Sequence, residues 1–299
     1  MKAKINELNA RYLNLLTDFG FHKVFGTESN KDLLIDFLNQ VIKEEGLITD
    51  IQYHPPKQWG NFRTDRKAIF DIFCTTENGE YFIVEMQRVK QVYFRDRSIY
   101  YASLPIQKQA PQGIWDFRLK AVYMVAIMNF VIFDEFEEDA DHIIENVCLM
   151  RERTKTVFSN KLKFAFVELP KFRKTEEELE THFDIWMYLL KNLPKLDKRP
   201  ASVKGKVFEK LFELAEIKQL TKKDMGRYRK SILEDSDFIN MLDYARGEGI
   251  EKGREEGREE YLEKIIQKSI KMNIPIEIIV ELTGYSEEQI IQYKMNNSQ

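Results

Sequence analysis

Cysteine is scarce in this chain, and long apolar runs are missing. The 299 residues include two cysteines, Cys74 and Cys148, which are too few for a disulfide framework or a four-cysteine zinc site. The longest apolar stretch, 121–128, is far shorter than the roughly 20 residues that a membrane-spanning helix needs. The first residues, 1–7, have none of the apolar character of a secretory signal. We therefore expect a cytoplasmic protein that does not associate with membranes.

An excess of one charge sign is also absent. The chain has 46 basic and 49 acidic side chains, and its net charge of −3 gives no global indication of a nucleic-acid partner. Two stretches are locally basic, 151–174 and the segment that runs from Arg63 to Arg97. Such clusters form a solvated face more often than a binding site, and both interpretations stay open at this point.

The hydrophobic pattern changes near residue 175. With 43% hydrophobic residues, the chain can bury a substantial core. Before residue 175, apolar periodicity predicts both strands and helices: strands at 48–53, 68–75, 80–87, 119–133, 143–150 and 162–169, and helices at 32–42 and 93–109. After it, the periodicity is helical, at 176–193, 203–217, 235–246, 261–272 and 275–294. We therefore expect an α+β domain at 1–175, a helical region at 176–246 and a charged helical tail at 247–299.

The tail is punctuated by glycine. Gly249, Gly253 and Gly257 recur every four residues, so in a helix they would share one face and permit the close approach of a second helix. Glycine costs about 1 kcal/mol at each helical position, so a flexible charged linker is the alternative. We expect the tail to serve oligomerisation or regulation.

Two carboxylates interrupt apolar strands. Asp71 lies within the run 68–74, and Glu85 lies within 81–87. A carboxylate in a buried strand is costly unless it is compensated, and two on paired strands would raise each other's pKa unless a cation lay between them. Mg²⁺, a hard cation that prefers oxygen ligands, would meet this requirement.

The turn between these strands decides whether the carboxylates meet. A two-residue turn would direct them to opposite faces of the hairpin. A three-residue loop at 77–79, ending in a left-handed glycine, pairs Thr76 with Glu80 and sets Asp71 directly opposite Glu85. The alternative is that both carboxylates lie on a solvated face, but that face would also carry four apolar side chains: Ile69, Phe73, Tyr81 and Ile83.

Five segments occur in an order typical of one nuclease family: 16–26, 30–39, 65–72, 82–87 and 97–103. They include Thr17-Asp-Phe-Gly-Phe and Val84-Glu-Met-Gln, and the latter contains the Glu-x-Gln variant of the PD-(D/E)XK motif. Together they resemble the Rpn family of recombination-promoting nucleases, also called PD-(D/E)XK nuclease family transposases, over most of 12–135. The resemblance implies an α+β, restriction-endonuclease-like core, in which a mixed sheet is flanked by helices, followed by an all-helical C-terminal region.

The resemblance also implies a metal site. Asp71 and Glu85 would hold Mg²⁺, which Mn²⁺ can replace, and the main-chain carbonyl of Met86 would supply a further oxygen. Gln87 takes the place of the lysine in the commoner form of the motif. A glutamine can orient a neighbour through hydrogen bonds, but it brings no positive charge.

Three other residues are candidates for catalytic roles. Lys67 and Lys23 are the candidates for the missing positive charge. Lys67 precedes Asp71 by four residues, so on an extended strand the two side chains would share one face. Asp18 matches the acidic residue of the first core helix in the family, and its alternative role is that of a helix N-cap.

The function that the resemblance implies is Mg²⁺-dependent endonucleolytic hydrolysis of DNA with little sequence specificity, in recombination, mobile-element or defence biology. Four basic residues would hold the DNA backbone: Arg95, Arg97, Lys161 and Lys163. We expect a homodimer, because cutting both strands usually requires two sites, and no nucleotide cofactor, because no strand leads into a glycine-rich phosphate loop. The alternative is a catalytically weak nuclease fold that binds DNA or a protein through its helical tail.

Overall fold

The fold centres on a mixed sheet of six strands. The computed structural model describes residues 9–42, 46–54, 70–110, 113–134 and 136–296. The strands are β1 (Ile51–Tyr53), β2 (Ile72–Thr76), β3 (Tyr81–Gln87), β4 (Val122–Met128), β5 (Ile144–Met150) and β6 (Val157–Glu168). They lie in the order β1-β2-β3-β4-β6-β5; β3, β4 and β6 are parallel to one another, and the remaining pairs are antiparallel.

The described part of the chain contains eight α-helices. They are α1 (Asp18–Phe25), α2 (Lys31–Val41), α3 (Phe94–Lys108), α4 (His182–Asn192), α5 (Lys206–Ala215), α6 (Lys222–Lys271), α7 (Ile276–Thr283) and α8 (Glu287–Asn296). Helix α3 connects the parallel strands β3 and β4, as parallel pairing requires. None of the described helices is both long and apolar enough to cross a membrane.

The two faces of the sheet are covered by different helices. Along β3, Val84 and Met86 point into a core built with α1, α2, α4 and α5, whereas Ile83 points into a second core beneath α3. Successive side chains of a strand alternate between faces, so Glu85 belongs to the α3 face. The expected architecture, a mixed sheet flanked by helices, is confirmed.

The β2–β3 hairpin has the predicted three-residue loop. Gly79 has a φ of +75°, and the Thr76 N–H donates to the carbonyl of Glu80 at 2.9 Å. Ile72 pairs with Val84, and the same register sets Asp71 opposite Glu85. The predicted register is therefore confirmed.

The helical segments differ from the sequence prediction in two places. The separate helices expected at 235–246 and 261–272 form one continuous helix, α6. The first helix after the sheet also begins later than expected. A helix was expected from residue 176, but Glu176–Glu178 forms a short 3-10 turn and α4 begins at His182. The reason is a capping box in which Thr181 and Asp184 satisfy each other's backbone N–H groups and so start a new helix.

The chain divides into two compact units, one ending at Ser236 and the other beginning at Asp237. In the second unit, isoleucines of α6, α7 and α8 form a small core: Ile266, Ile279 and Ile290. Gly249, Gly253 and Gly257 lie within α6, so this segment is helical and the flexible-linker alternative is wrong.

Candidate active site

Asp71 and Glu85 meet at the open end of the β2–β3 hairpin. The Asp71 N–H donates to Oε1 of Glu85 at 3.2 Å, and the Met86 N–H donates to Oδ2 of Asp71 at 2.8 Å. Each carboxylate is thus bonded to the backbone beside the other carboxylate. The hairpin register and the alternation of side chains bring them together, as the sequence predicted.

Both carboxylates are held where ionisation is unfavourable. Glu85 is only 2% exposed, and burial together with the charge of Asp71 raises its pKa to about 8. Burial likewise raises the pKa of Asp71 to about 6. Two facing carboxylates with raised pKa values favour either a shared proton or a cation.

Gln87 and Arg97 contact the same oxygen of Glu85. Gln87 Nε2 donates to Glu85 Oε2 at 3.3 Å, and Nη2 of Arg97, from α3, lies 3.4 Å from that oxygen. The guanidinium lies 5.3 Å from the ring centroids of Phe94 and Tyr101, which fixes its direction. Its charge opposes the rise in pKa of both carboxyl groups. Within the described residues, the buried Nε of Arg97 has no hydrogen-bond partner.

The donor set at this point fits a hard divalent cation. It consists of two carboxylates and the Met86 carbonyl, which points to the same side of β3 as the N–H bonded to Asp71. Mg²⁺ is commonly bound by one or two carboxylates, with water and substrate phosphate completing its shell. No cluster of three or more His, Cys, Asp or Glu side chains suited to a metal occurs in the part of the chain that the structure describes.

Asp18 lies close enough to influence the pair. It is exposed at the start of α1, and its charge contributes to the raised pKa of Asp71. The N-cap of α1 is Thr17, whose hydroxyl accepts the Gly20 N–H at 3.1 Å. The N-cap alternative for Asp18 is therefore wrong, because the preceding threonine holds that position.

The structure does not bring Lys23, the first of the two candidate lysines, to the carboxylates. Lys23 Nζ lies 3.4 Å from Oδ2 of Asp224, at the start of α6, so its charge is paired there. Lys67 lies outside the described residues. Among the described residues, Arg97 places a positive charge beside Glu85; the sequence analysis had assigned this arginine to the DNA backbone.

The remaining basic candidates are spread over the sheet. Arg95 Nη2 donates to the carbonyl of Ile132 at 2.5 Å, in the loop after β4. Lys163 lies 6.0 Å from the ring of Tyr123, on the sheet face opposite to the carboxylate pair. Lys161 precedes it by two residues on β6 and shares that side by strand alternation. Neither lysine reaches the candidate active site.

Comparison with known families agrees with this geometry. Residues 15–245 match the family described as PD-(D/E)XK nuclease family transposase. Because the match covers most of the chain, the protein belongs to this family, and both the sequence resemblance and the expected fold class are confirmed. No curated protein and no solved structure matches the chain.

Proposed function

We propose that this member of the PD-(D/E)XK nuclease family is a Mg²⁺-dependent DNA endonuclease with little sequence specificity. The observation that carries the proposal is the facing pair of the half-buried Asp71 and the buried Glu85, whose pKa values are raised to about 6 and about 8. Keeping two such groups ionised at neutral pH requires a cation between them. A carboxylate pair that binds a divalent cation is the usual centre of metal-assisted phosphodiester hydrolysis.

The metal would be held by Asp71, Glu85 and the Met86 carbonyl. When bound, Mg²⁺ or Mn²⁺ supplies Lewis-acid chemistry, polarising the scissile phosphate and lowering the pKa of a coordinated water. Gln87 keeps one oxygen of Glu85 oriented through its hydrogen bond. The exposed Asp18 adds negative charge near Asp71, which favours binding of the cation.

Arg97 supplies the positive charge that the motif lysine brings in the commoner form of the site. Its Nη2 contacts Glu85, and the side chain is 26% exposed, so the guanidinium can also donate to a phosphate oxygen of a bound substrate. Contacts of this kind read phosphate rather than bases, consistent with weak sequence specificity.

The biological setting of the proposal is recombination, mobile elements or defence. A homodimer belongs to the same proposal, because each chain carries one carboxylate pair and cutting both DNA strands requires two.

Incubating supercoiled plasmid with the purified protein tests the proposal. With Mg²⁺ we expect nicked or linear DNA, and we expect EDTA, Asp71→Asn and Glu85→Gln each to reduce cleavage to background. The control is Glu263→Gln, which removes an exposed carboxylate from α6 and should leave cleavage unchanged.

Metal binding is measured separately. We expect Mn²⁺ to raise the melting temperature of the wild type but not of Asp71→Asn. Cleavage that survives Asp71→Asn would contradict the assigned site. The absence of both cleavage and metal binding in the wild type would contradict the nuclease proposal and favour a binding protein.

A further inference from the structure

A buried ion pair lies on the same side of the sheet as the candidate active site. Glu168, the last residue of β6, is fully buried, and the side chain of Lys171 is 4% exposed. Lys171 Nζ lies 2.5 Å from Glu168 Oε2, as a close ion pair rather than an aligned hydrogen bond. The strand register places Glu168 in one row with Gln87, with Met128 of β4 between them.

The other oxygen of Glu168 holds the loop that follows β4, residues 129–134. Glu168 Oε1 accepts the N–H groups of Ile132 at 2.5 Å and of Phe133 at 3.1 Å. At the start of the loop, the Asn129 N–H donates at 2.9 Å to the carbonyl of the glutamine that ends β3. The loop is thus fixed at both ends, once beside the candidate active site and once at the ion pair.

The same loop holds the first turn of α3. Arg95 Nη2 donates to the Ile132 carbonyl, and its guanidinium lies 4.6 Å from the ring centroid of Phe133. Arg97 follows two residues later, and it is the residue that contacts Glu85. Contacts therefore run without interruption from the ion pair through the loop to Arg97.

We propose that Glu168 and Lys171 are positioning residues for the candidate active site. Their ion pair fixes the loop after β4, the loop fixes the first turn of α3, and this turn sets the position of Arg97 against Glu85. The inference rests on the proposed function, and it adds a part of the chain that does not touch the carboxylate pair.

The chemistry of the pair fits this role better than a role in stability. Burying two charges costs about as much as their attraction returns, so the ion pair by itself adds little to the stability of the fold. An apolar pair of the same size would avoid that cost, but it would leave the N–H groups of Ile132 and Phe133 without their acceptor. What the carboxylate adds is one defined position for the loop, and the ammonium holds that carboxylate in place.

Two double variants separate positioning from folding, because each removes both charges at once. Glu168→Gln with Lys171→Gln keeps an amide oxygen as the acceptor for the loop, whereas Glu168→Leu with Lys171→Met removes it. We expect the first variant to lose about threefold in kcat, because the amide oxygen still accepts the loop N–H groups but no ammonium holds it in place. We expect the second variant, which has no acceptor, to lose about tenfold, with little change in KM for either. Equal cleavage by the two variants would overturn the proposal.

The same changes are then made together with Arg97→Gln. If the ion pair acts through Arg97, adding Glu168→Leu and Lys171→Met to the Arg97→Gln protein should lower its cleavage rate by less than about twofold, because the arginine to be positioned is gone. The same tenfold loss in both backgrounds would mean that Glu168 and Lys171 affect cleavage by another route, which would overturn the proposal.

Hydrogen exchange distinguishes failure of this inference from failure of the proposed function. In the Leu/Met variant we expect amides of 129–134 and 94–98 to exchange about tenfold faster, with those of 31–41 unchanged. If the wild-type protein does not cleave DNA but the variant shows this exchange pattern, the nuclease proposal is contradicted. The proposal that the ion pair positions Arg97 is then still supported. Faster exchange limited to the loop, or absent, would overturn the positioning whether or not the protein cleaves DNA.

Discussion

At the scale of single residues, the carboxyl of Glu85 has a pKa well above its usual value. Burial and the neighbouring Asp71 raise its pKa from 4.5 to about 8. Between these values the folded protein holds a proton that the unfolded chain has released, so the free energy of unfolding decreases as pH rises through this range. The stabilisation is complete below pH 4.5 and is lost as pH passes about 8.

This linkage predicts how the metal-free protein melts. In EDTA, we expect the melting temperature of the wild type to fall by about 5 °C more than that of Glu85→Gln between pH 5 and pH 9. Calorimetry of the two proteins across this range measures the difference. Mn²⁺ at pH 8 should restore the stability of the wild type, since a cation replaces the lost proton. Parallel curves for the two proteins would show that Glu85 ionises normally.

The sequence predicted the carboxylate pair but not its arginine. Asp71 and Glu85 are joined by one short hairpin, so local alternation and loop length determine that they face each other. The contact between Arg97 and Glu85 depends instead on how α3 packs over the sheet, and that packing involves Ile132 and Glu168, far along the chain. No local pattern reports such a contact.

Among the elements, the β2–β3 hairpin sets Asp71 opposite Glu85, and its loop depends on one glycine in the left-handed conformation. Gly79 has a φ of +75°, and a Cβ there would lie 3.5 Å from Cε of Lys120, an ordinary contact. The cost of a side chain at this position therefore comes from the backbone conformation. For a β-branched residue in this left-handed region it is about 1–2 kcal/mol.

We expect Gly79→Val to lower the free energy of unfolding by about 1–2 kcal/mol, and Gly79→Asn to lower it by less, because asparagine tolerates this conformation. Urea unfolding of both variants measures the difference. Equal losses for valine and asparagine would show that crowding rather than backbone conformation sets the cost.

Helix α6 shows where an element prediction depends on context. Its glycines, Gly249, Gly253 and Gly257, disfavour a helix locally, yet the structure places all three inside it. A Cβ at each would meet no described atom within 4 Å. The sequence left helix and linker open, because propensity alone does not decide between them.

Replacing these three glycines by alanine should therefore stabilise α6. We expect each replacement to increase the stability of the helix by about 1 kcal/mol at most. The triple variant should then keep its helical ellipticity at 222 nm to a higher temperature than the wild type. The control is Gly205→Ala, outside α6 and at a φ of +115°, which should destabilise the protein. If the triple variant instead has less helix, or a smaller molecular mass in solution because an oligomer has dissociated, the glycine face packs against a second copy of the chain.

At the scale of the whole molecule, the sheet places the described basic candidates, Arg97 and Lys163, on opposite faces. Arg97 lies on the face that carries Glu85, whereas Lys163 contacts Tyr123 on the other face. The sequence showed both residues within basic stretches, but it could not assign them to faces, because the pairing of β6 with β4 is not local. With a net charge of −3, the molecule has no overall attraction for a polyanion, so local groups of this kind would have to supply it.

This separation predicts unequal effects on cleavage. We expect Lys161→Gln with Lys163→Gln to leave plasmid cleavage within about twofold of the wild type. The slope of log binding constant against log salt concentration should change by less than the equivalent of about one phosphate contact. Arg97→Gln should instead reduce cleavage about tenfold or more, because it removes the positive charge beside Glu85. Cleavage rates and binding at several salt concentrations measure both effects. A large loss in the lysine variant would mean that DNA held at Asp71 and Glu85 also follows the edge of the sheet round to its opposite face.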